Sequence, residues 1–482
     1  MILHNLLADI PVLQILGNDQ VEVTGIQFDS RKIEAGNIFV AQSGTAVDGH
    51  TFIASCIERG AACIVLSNPD YMPSHATSGI TYVLVENTDH ALGLMASAWY
   101  GQPSRKLTLV GVTGTNGKTT IATLLYKMVR AMGYKVGLLS TVVNYIDDEA
   151  VASTHTTPDA LALNGLLHRM VDAGCQYAFM EVSSHSIAQE RIAGLDFDGA
   201  LFTNLTRDHL DYHKTFDNYR DTKKRLFDGL KSEAFAVTNR DDKNGLVMLQ
   251  NCVAHGYSYS THSMADFKGT ILEEGFDGML LRIDHQEVFV PLVGRFNLQN
   301  LLCIYGAAVC LGFDRTEILR VISTLTAVNG RFEIIHSAKG WIAVVDYAHT
   351  PDAVENVINT INEIRSGRLI TVVGCGGNRD KGKRPLMAKL AKRGSDQLIL
   401  TSDNPRDEEP MDILRDMANG LSEDELRQTL IIEDRASAIQ TACTIAQAQD
   451  VILVAGKGHE NYQIIRGVKH HFDDHEIIQR YC

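Results

Sequence analysis

The chain has 482 residues, 45% of them apolar and 21% charged, an ordinary globular balance that excludes a disordered or fibrous protein. At roughly 150 residues per domain, this length accommodates about three domains. Against 58 Asp and Glu stand 44 Lys and Arg, a formal charge of −14 that excludes a general affinity for nucleic acid but allows a local nest of donors for a small anion.

The opening MILHNLLADI has no cationic stretch, and no apolar run approaches the ~18 residues of a membrane span, so neither a signal peptide nor membrane insertion is expected and the cytoplasm is the expected compartment. In chain order, IFVA (38–41), ACIVL (62–66) and TYVLV (81–85) read as strands, and TFIASCIERG (51–60) and ALGLMASAWY (91–100) as helices. GQPSRK closes this stretch. KLTLVGVT (106–113), VGLLST (136–141), YAFMEVS (177–183), ALFTNL (200–205) and AFAVTN (234–239) alternate with helical segments, the pattern of a mostly parallel sheet covered on both faces. The segment 254–293 reads as antiparallel. A third unit starts near Gly330, where WIAVVDYA (341–348), LITVVGCGG (369–377), QLILTSD (397–403) and DVILVAGKG (450–458) join apolar strands to polar or glycine-rich ends, the places where open α/β sheets hold ligands. Nine scattered cysteines without C-x-x-C spacing read as buried thiols rather than a zinc site.

GVTGTNGKTT (111–120) sits between a strand and a helix. Gly114 and Gly117 let successive backbone N–H groups face phosphate oxygens, the following helix adds its positive end, Lys118 reaches terminal phosphates and Thr119 offers a hydroxyl to Mg²⁺. Val112 stands where the first glycine of the usual pattern would fall. Such a loop serves kinases, hydrolases and ligases alike. Glu181, at the tip of an apolar strand, is a candidate Mg²⁺ ligand, the alternative being a helix cap. Asp208, His209, Asp211 and His213 have the spacing either of metal ligands or of a capped helix start. HTTPD (155–159) reads as a helix N-terminus with Pro158 early in the helix, as donors to an anion, or as both.

GTNGKTT (114–120), HTTP (155–158), EVSSHS (181–186), TNLTRDHLDYH (203–213), GRFN (294–297), NGRFE (329–333), DYAHTPDA (346–353), GCGGNRDKGKRP (374–385), SDNPRDEEP (402–410) and GKGHE (456–460) together resemble the Mur ligases, ATP-dependent amide-forming enzymes of bacterial peptidoglycan precursor synthesis. The resemblance runs from about residue 24 to 476. GTNGKTT is shared with folylpolyglutamate synthetases. DNPR with GKGHE is narrower and is similar to the members that add the third residue of the peptide.

This resemblance implies three α/β domains: residues 1–105, small, for the UDP substrate; 106–329, a P-loop ATPase-like mostly parallel sheet, for ATP; and 330–482, Rossmann-like, for the incoming amino acid. It implies a monomer in which ATP and Mg²⁺ activate a carboxylate of UDP-N-acetylmuramoyl-L-alanyl-D-glutamate as an acyl phosphate, which an amine then attacks. Ser30 and Arg31, with Thr156, Thr157, Ser183, Gln189 and Arg191, are implied contacts of the UDP substrate. Gly114, Thr115, Asn116, Gly117, Lys118, Thr119, Thr120, Asn297, Asn300, Arg331, Asp346 and His349 are implied around ATP, and Thr119, Glu181 and His209 around Mg²⁺. The family's modified lysine, in Y-x-x-x-K, corresponds to Lys223 of YRDTK, where a CO₂-derived carbamate would add a further metal ligand; charge pattern alone would read Lys223 and Lys224 as a solvated helix face. Arg379, Asp403, Asn404, Arg406, Gly456 and Glu460 are implied for meso-2,6-diaminopimelate, chosen over L-lysine because a guanidinium at Arg406 suits a second carboxylate. The alternative for Arg406 is a surface pair with Asp407, Glu408 or Glu409. A P-loop small-molecule kinase is the reading from another class. Lys214, Asn378 and His475 depart from residues common among relatives, Lys214 standing where glycine is frequent.

Overall fold

The computed structural model describes residues 1–44, 47–75, 79–153 and 156–482. Two compact units are formed, one by residues 1–113, 133–200 and 225–234, the other by residues 114–132, 201–224 and 235–482.

The first unit opens with strands β1 (Val12–Leu16), β2 (Gly25–Gln27), β3 (Asn37–Val40), β4 (Cys63–Leu66) and β5 (Thr81–Val85), in the order β1-β5-β4-β3-β2. Only β1 runs antiparallel to its neighbour. The apolar runs are continuous because both faces are covered. Ile38, Val40, Cys63, Val65, Val83 and Val85 pack with Ala91, Leu92 and Met95 on one side, while Phe39, Ile64, Leu66 and Tyr82 pack with Ile53 and Cys56 on the other. The helix expected from residue 91 begins at Thr88, because the Asn87 side chain caps the N–H groups of Asp89 and His90. The segment expected as one helix over 51–60 is a 3₁₀ turn, Gly49–Phe52, running into Ile53–Glu58.

A second sheet in this unit has β6 (Thr108–Thr113), β7 (Val136–Leu139), β8 (Val143–Ile146), β9 (Glu149–Ala152) and β10 (Tyr177–Glu181), in the order β6-β10-β7-β8-β9. β10 is parallel to both β6 and β7, and β8 and β9 extend the sheet antiparallel. Pro158 lies outside the helix it was expected to open: Asp159 accepts from Ala162 N and caps Ala160–Asp172 one residue later. β11 (Gly199–Phe202) carries the chain into the second unit.

That unit continues with β12 (Phe235–Asn239), β13 (His255–Ser260), β14 (Phe267–Gly275), β15 (Gly278–Ile283) and β16 (Gln286–Val290). The antiparallel reading of 254–293 holds for β14 to β16, but β13 pairs parallel with β12 and, briefly, with β14. The last sheet contains β17 (Glu333–His336), β18 (Ile342–Asp346), β19 (Leu369–Val373), β20 (Gln397–Leu400), β21 (Thr429–Ile431) and β22 (Val451–Ala455), in the order β17-β18-β22-β19-β20-β21 and parallel apart from β17. Val354, Ile358, Met387, Ala391 and Leu414 cover one face; Ala438, Ile439, Ala442 and Ile478 cover the other. Such a doubly wound sheet gathers ligands at the carboxyl ends of its strands. A hairpin, β23 (Tyr462–Ile465) and β24 (Val468–His471), follows. All nine cysteines are free, and no helix among the described residues is long and apolar enough to cross a membrane.

Candidate active site

The loop after β6 can be made only by glycine at two points. Gly114 has φ +147°, and a Cβ there would lie 1.9 Å from Thr203 Oγ1; Gly117 has φ +90°, with a Cβ 2.6 Å from Asn300 Oδ1. Gly117 precedes the helix Lys118–Ala131, whose first N–H groups therefore open onto the loop. Lys118 Nζ donates to the carbonyls of Gly114 (3.0 Å) and Thr115 (2.8 Å), and Thr119 Oγ1 accepts from Arg331 Nη2 at 3.1 Å.

A cavity of about 260 Å³ adjoins the loop. Asn116, Gly117, Thr120, Asn297, Asn300, Arg331, Asp346 and His349 line it, so eight of the residues named for ATP meet in one place; Gly114, Thr115, Lys118 and Thr119 are not on its wall. Asp346 accepts from the N–H groups of Phe332 and Ala348, each at 2.7 Å, which fixes the turn carrying Arg331. Burial raises the Asp346 carboxyl, with Arg331 opposing. The Arg331 guanidinium stacks 4.4 Å above the Tyr347 ring. Burial, then Lys383, lowers His349. Sequence reasoning overlooked Asp241, Asp242 and Asp352 on the same wall; Asp352 accepts from Asn116 Nδ2 at 3.1 Å, and only its place in DYAHTPDA hinted at it.

Lys223 is 1% exposed, which overturns the solvated-face reading. Its Nζ donates to Gly114 O at 2.8 Å and lies 4.8 Å from the Tyr219 ring centroid. Burial, then the neighbouring Lys118, lowers its pKa well below the usual lysine range, against the pull of Asp208. Lys224, by contrast, reaches outward to Gln250 O. Asp208 Oδ2 is 3.3 Å from His209 Nε2, and His209 adopts φ +54° at the start of the short helix Leu210–His213. Burial raises the Asp208 carboxyl, but His209, His349 and Lys383 together bring it below its ordinary value. Lys214 takes φ +68°, the left-handed backbone that glycine adopts freely, and donates to Asp211 O at 2.7 Å. Among the described residues, no group of three His, Cys, Asp or Glu side chains is arranged to hold a metal unaided.

In the first unit, the residues named for the UDP substrate fall into two places. Thr156 accepts from Thr141 Oγ1 at 3.1 Å, and Thr157 Oγ1 donates to Glu181 O at 2.9 Å and to Ser183 Oγ at 3.5 Å. Arg191 donates to Thr157 O (2.7 Å) and to Gln189 Oε1 (2.6 Å). Glu181 Oε1 accepts from Thr141 N at 2.7 Å rather than capping a helix; the cap there is Ser183. Ser30 and Arg31 stand apart, the exposed guanidinium gripping Asp29 through two 2.9 Å bonds. His155 of the HTTP motif lies outside the described residues.

The residues named for the amino acid converge at the carboxyl ends of β20 and β22. Arg406, half-buried at φ +53°, donates from Nη1 to Gly377 O at 2.8 Å, and its backbone N–H bonds Ile464 O at 3.0 Å. It pairs with none of the three following acids. Glu408 is held by Arg384 through two 2.9 Å bonds, Asp407 accepts from Asn378, and Glu409 meets Arg466. Burial, then Arg379, lowers the Arg406 guanidinium, so two like charges face this corner. Asp403 and Asn404 are buried, and Asn404 Nδ2 donates to Glu460 Oε2 at 2.7 Å. Gly456, at φ +117°, lets the chain pass where a Cβ would lie 2.6 Å from Asp403 Oδ2. Burial, then Asp403, raises Glu460. The hairpin β23–β24 was overlooked, because nothing in YQIIRGVKHH marks a ligand site; it seals this corner through Gln463 Nε2, which donates to Asp403 O at 2.6 Å.

Three family models match the chain: "Mur ligase family, catalytic domain" over residues 22–100, "Mur ligase middle domain" over 112–308, and "Mur ligase, glutamate ligase domain" over 330–458. The chain is 58% identical to the UDP-N-acetylmuramoyl-L-alanyl-D-glutamate--2,6-diaminopimelate ligase of Phocaeicola vulgatus, across 99% of each chain. It is 60% identical to the enzyme of that name from Parabacteroides distasonis, across 99% of this chain and 98% of the relative. A solved structure of a ligase of the same name superposes with a TM-score of 0.66 at 34% identity, covering 95% of this chain and 94% of that one.

Proposed function

This chain belongs to the Mur ligase family, and we infer that it is the ATP-dependent ligase that joins meso-2,6-diaminopimelate to UDP-N-acetylmuramoyl-L-alanyl-D-glutamate in peptidoglycan precursor synthesis. The observation that carries the choice of amino acid is Arg406, a half-buried guanidinium beside Arg379 with no carboxylate in ion-pair reach among the described residues. A second carboxylate on the distal carbon of the ligand answers that charge, and Glu460 answers its ammonium.

The reading assigns residues 1–105 to the UDP substrate, 106–329 to ATP and 330–482 to the amino acid, and takes the protein to be a cytoplasmic monomer. Thr156, Thr157, Ser183, Gln189 and Arg191, with Ser30 and Arg31, hold the UDP substrate. The loop N–H groups and Lys118 hold the ATP phosphates while the dipeptide carboxylate takes the terminal phosphoryl group, and the incoming amine then displaces phosphate. Mg²⁺, when bound, neutralises charge on the transferred phosphoryl group. Thr119 and His209 are suitable donors for it, and Glu181 is assigned on the family resemblance. Burial favours the neutral form of the Lys223 amine, whose nitrogen can then bond the carbon of CO₂ and release a proton, giving a carbamate that would supply an oxygen ligand.

The test is product mass after incubation with ATP, Mg²⁺, the UDP-dipeptide and each candidate amine. The expected product is a UDP-tripeptide containing diaminopimelate. A lysine tripeptide, a glutamylated folate or a phosphate ester would each refute the assignment in a distinguishable way.

A further inference from the structure

Lys457 lies inside the amino-acid corner but has no place in the chemistry described above. Its side chain is 0% exposed. A buried ammonium persists only where its three N–H donors find acceptors and an opposite charge stands near. Nζ lies 3.3 Å from Glu460 Oε2 and 3.4 Å from Asn404 Oδ1, donates to the Tyr462 carbonyl, and sits 5.5 Å from the Tyr462 ring centroid. All three acceptors belong to groups that shape the amino-acid corner.

The Asn404 amide is oriented by these contacts. Its Oδ1 accepts from Lys457 and from Ile464 N at 2.9 Å, which leaves Nδ2 to donate to Glu460 Oε2. An ammonium has no acceptor, so the amide cannot turn over without opposing donor to donor. Oε2 thus takes both Lys457 and Asn404, while among the described residues Oε1 has only the Tyr347 hydroxyl, at 3.5 Å. Oε1 is the oxygen presented to a ligand.

Building on the reading of this corner as the diamino-acid pocket, we propose that Lys457 is a positioning residue for substrate recognition: its buried ammonium holds Glu460 and Asn404 so that Glu460 meets the ligand ammonium as an oriented carboxylate. Two acids share this corner, buried Asp403 and partly buried Glu460. Burial and Asp403 push Glu460 toward its neutral form, and Lys457 and Asn404 oppose them. Without Lys457 the carboxyl takes up a proton more readily, and a neutral acid binds an ammonium poorly.

The experiment compares native protein with Lys457→Met, Glu460→Gln and the double variant. It measures kcat and KM for meso-diaminopimelate, ATP and the UDP-dipeptide between pH 6 and 9.5. Lys457→Met should raise KM for diaminopimelate by about 30-fold, with kcat within about threefold of native and the other two KM values unchanged. Its acid limb of kcat/KM for diaminopimelate should move to higher pH, a shift that simple loosening of the corner would not produce. An unmoved limb, or equal loss for all three substrates, overturns the proposal. If Lys457→Met does not fold, the double variant decides, because it removes both members of the Lys457–Glu460 ion pair and leaves neither of them unpaired. It should match Glu460→Gln in KM for diaminopimelate, and a further rise beyond about threefold shows that Lys457 acts elsewhere. Should Glu460→Gln itself leave that KM unchanged, the reading of the pocket fails, not merely the role of Lys457.

Discussion

Replacing Arg406 by alanine removes a guanidinium whose only side-chain hydrogen bond among the described residues is the 2.8 Å contact of Nη1 with Gly377 O. The remaining N–H groups can form a two-bond fork with a carboxylate. Each charge-assisted bond contributes about 1.5–3 kcal/mol when fully desolvated. Arg406 is half-buried and Arg379 stands close enough to take part of the load, which reduces the pair to about 2–4 kcal/mol. The expected loss in kcat/KM for meso-diaminopimelate is therefore about 30- to 700-fold. L-Lysine has no distal carboxylate, so its kcat/KM should stay within about twofold and the preference should collapse. Arg406→Lys keeps the charge without the planar fork and should fall between the two. The assay is UDP-tripeptide formation with each amine under kcat/KM conditions. Native protein that prefers lysine, or an alanine variant that keeps the native preference, refutes the reasoning.

Lys223→Ala should lose most ligase activity and regain part of it when a short carboxylic acid replaces the carbamate; a fully active alanine variant would show that the modified amine lies elsewhere. Gly114→Ala places a methyl group 1.9 Å from Thr203 Oγ1 at φ +147°, so nucleotide affinity measured by calorimetry should fall at least tenfold as an order of magnitude, while unchanged affinity would mean that the loop relaxes freely. The Glu408 carboxyl is held down to about 2 by the Arg384 bonds, against 4.5 when free. Between those values the unfolded chain binds more protons than the folded one, so stability falls as pH drops through that window. Glu408→Gln should flatten this slope in denaturant titrations, and an unchanged slope would remove Glu408 as its source.

Much of the architecture was legible because burial on both faces writes strands as unbroken apolar runs. TYVLV (81–85) matches its strand to the residue, and LITVV and VILVA end where glycine follows, at Gly374 and Gly456. Helix starts were less legible, since a cap such as Asn87 or Asp159 moves the boundary by one to three residues without disturbing the hydrophobic pattern. The phosphate loop was readable from local chemistry, because glycine at 114 and 117 is dictated by a backbone that no other residue enters cheaply.

The sequence by itself determined what depends on neighbours along the chain: alternating strands and helices, the glycine-built loop, and the motifs that mark a Mur ligase. Only the tertiary structure decided what depends on neighbours across it. Lys223 and Lys224 are chemically identical in YRDTKKRLF, yet one is buried against Gly114 and the other reaches Gln250, because adjacent positions on a helix point about 100° apart. Arg406 is followed by three acids, yet Arg384, a residue with 0% exposure more than twenty positions earlier, and Asn378 and Arg466 occupy them and leave Arg406 directed into the corner. Lys457 stands between two glycines, and nothing in the sequence around it sets its surroundings. Its burial beside Asn404, Glu460 and Tyr462 arises because β20, β22 and the hairpin meet there, and charge in a low-dielectric corner is set by what surrounds it.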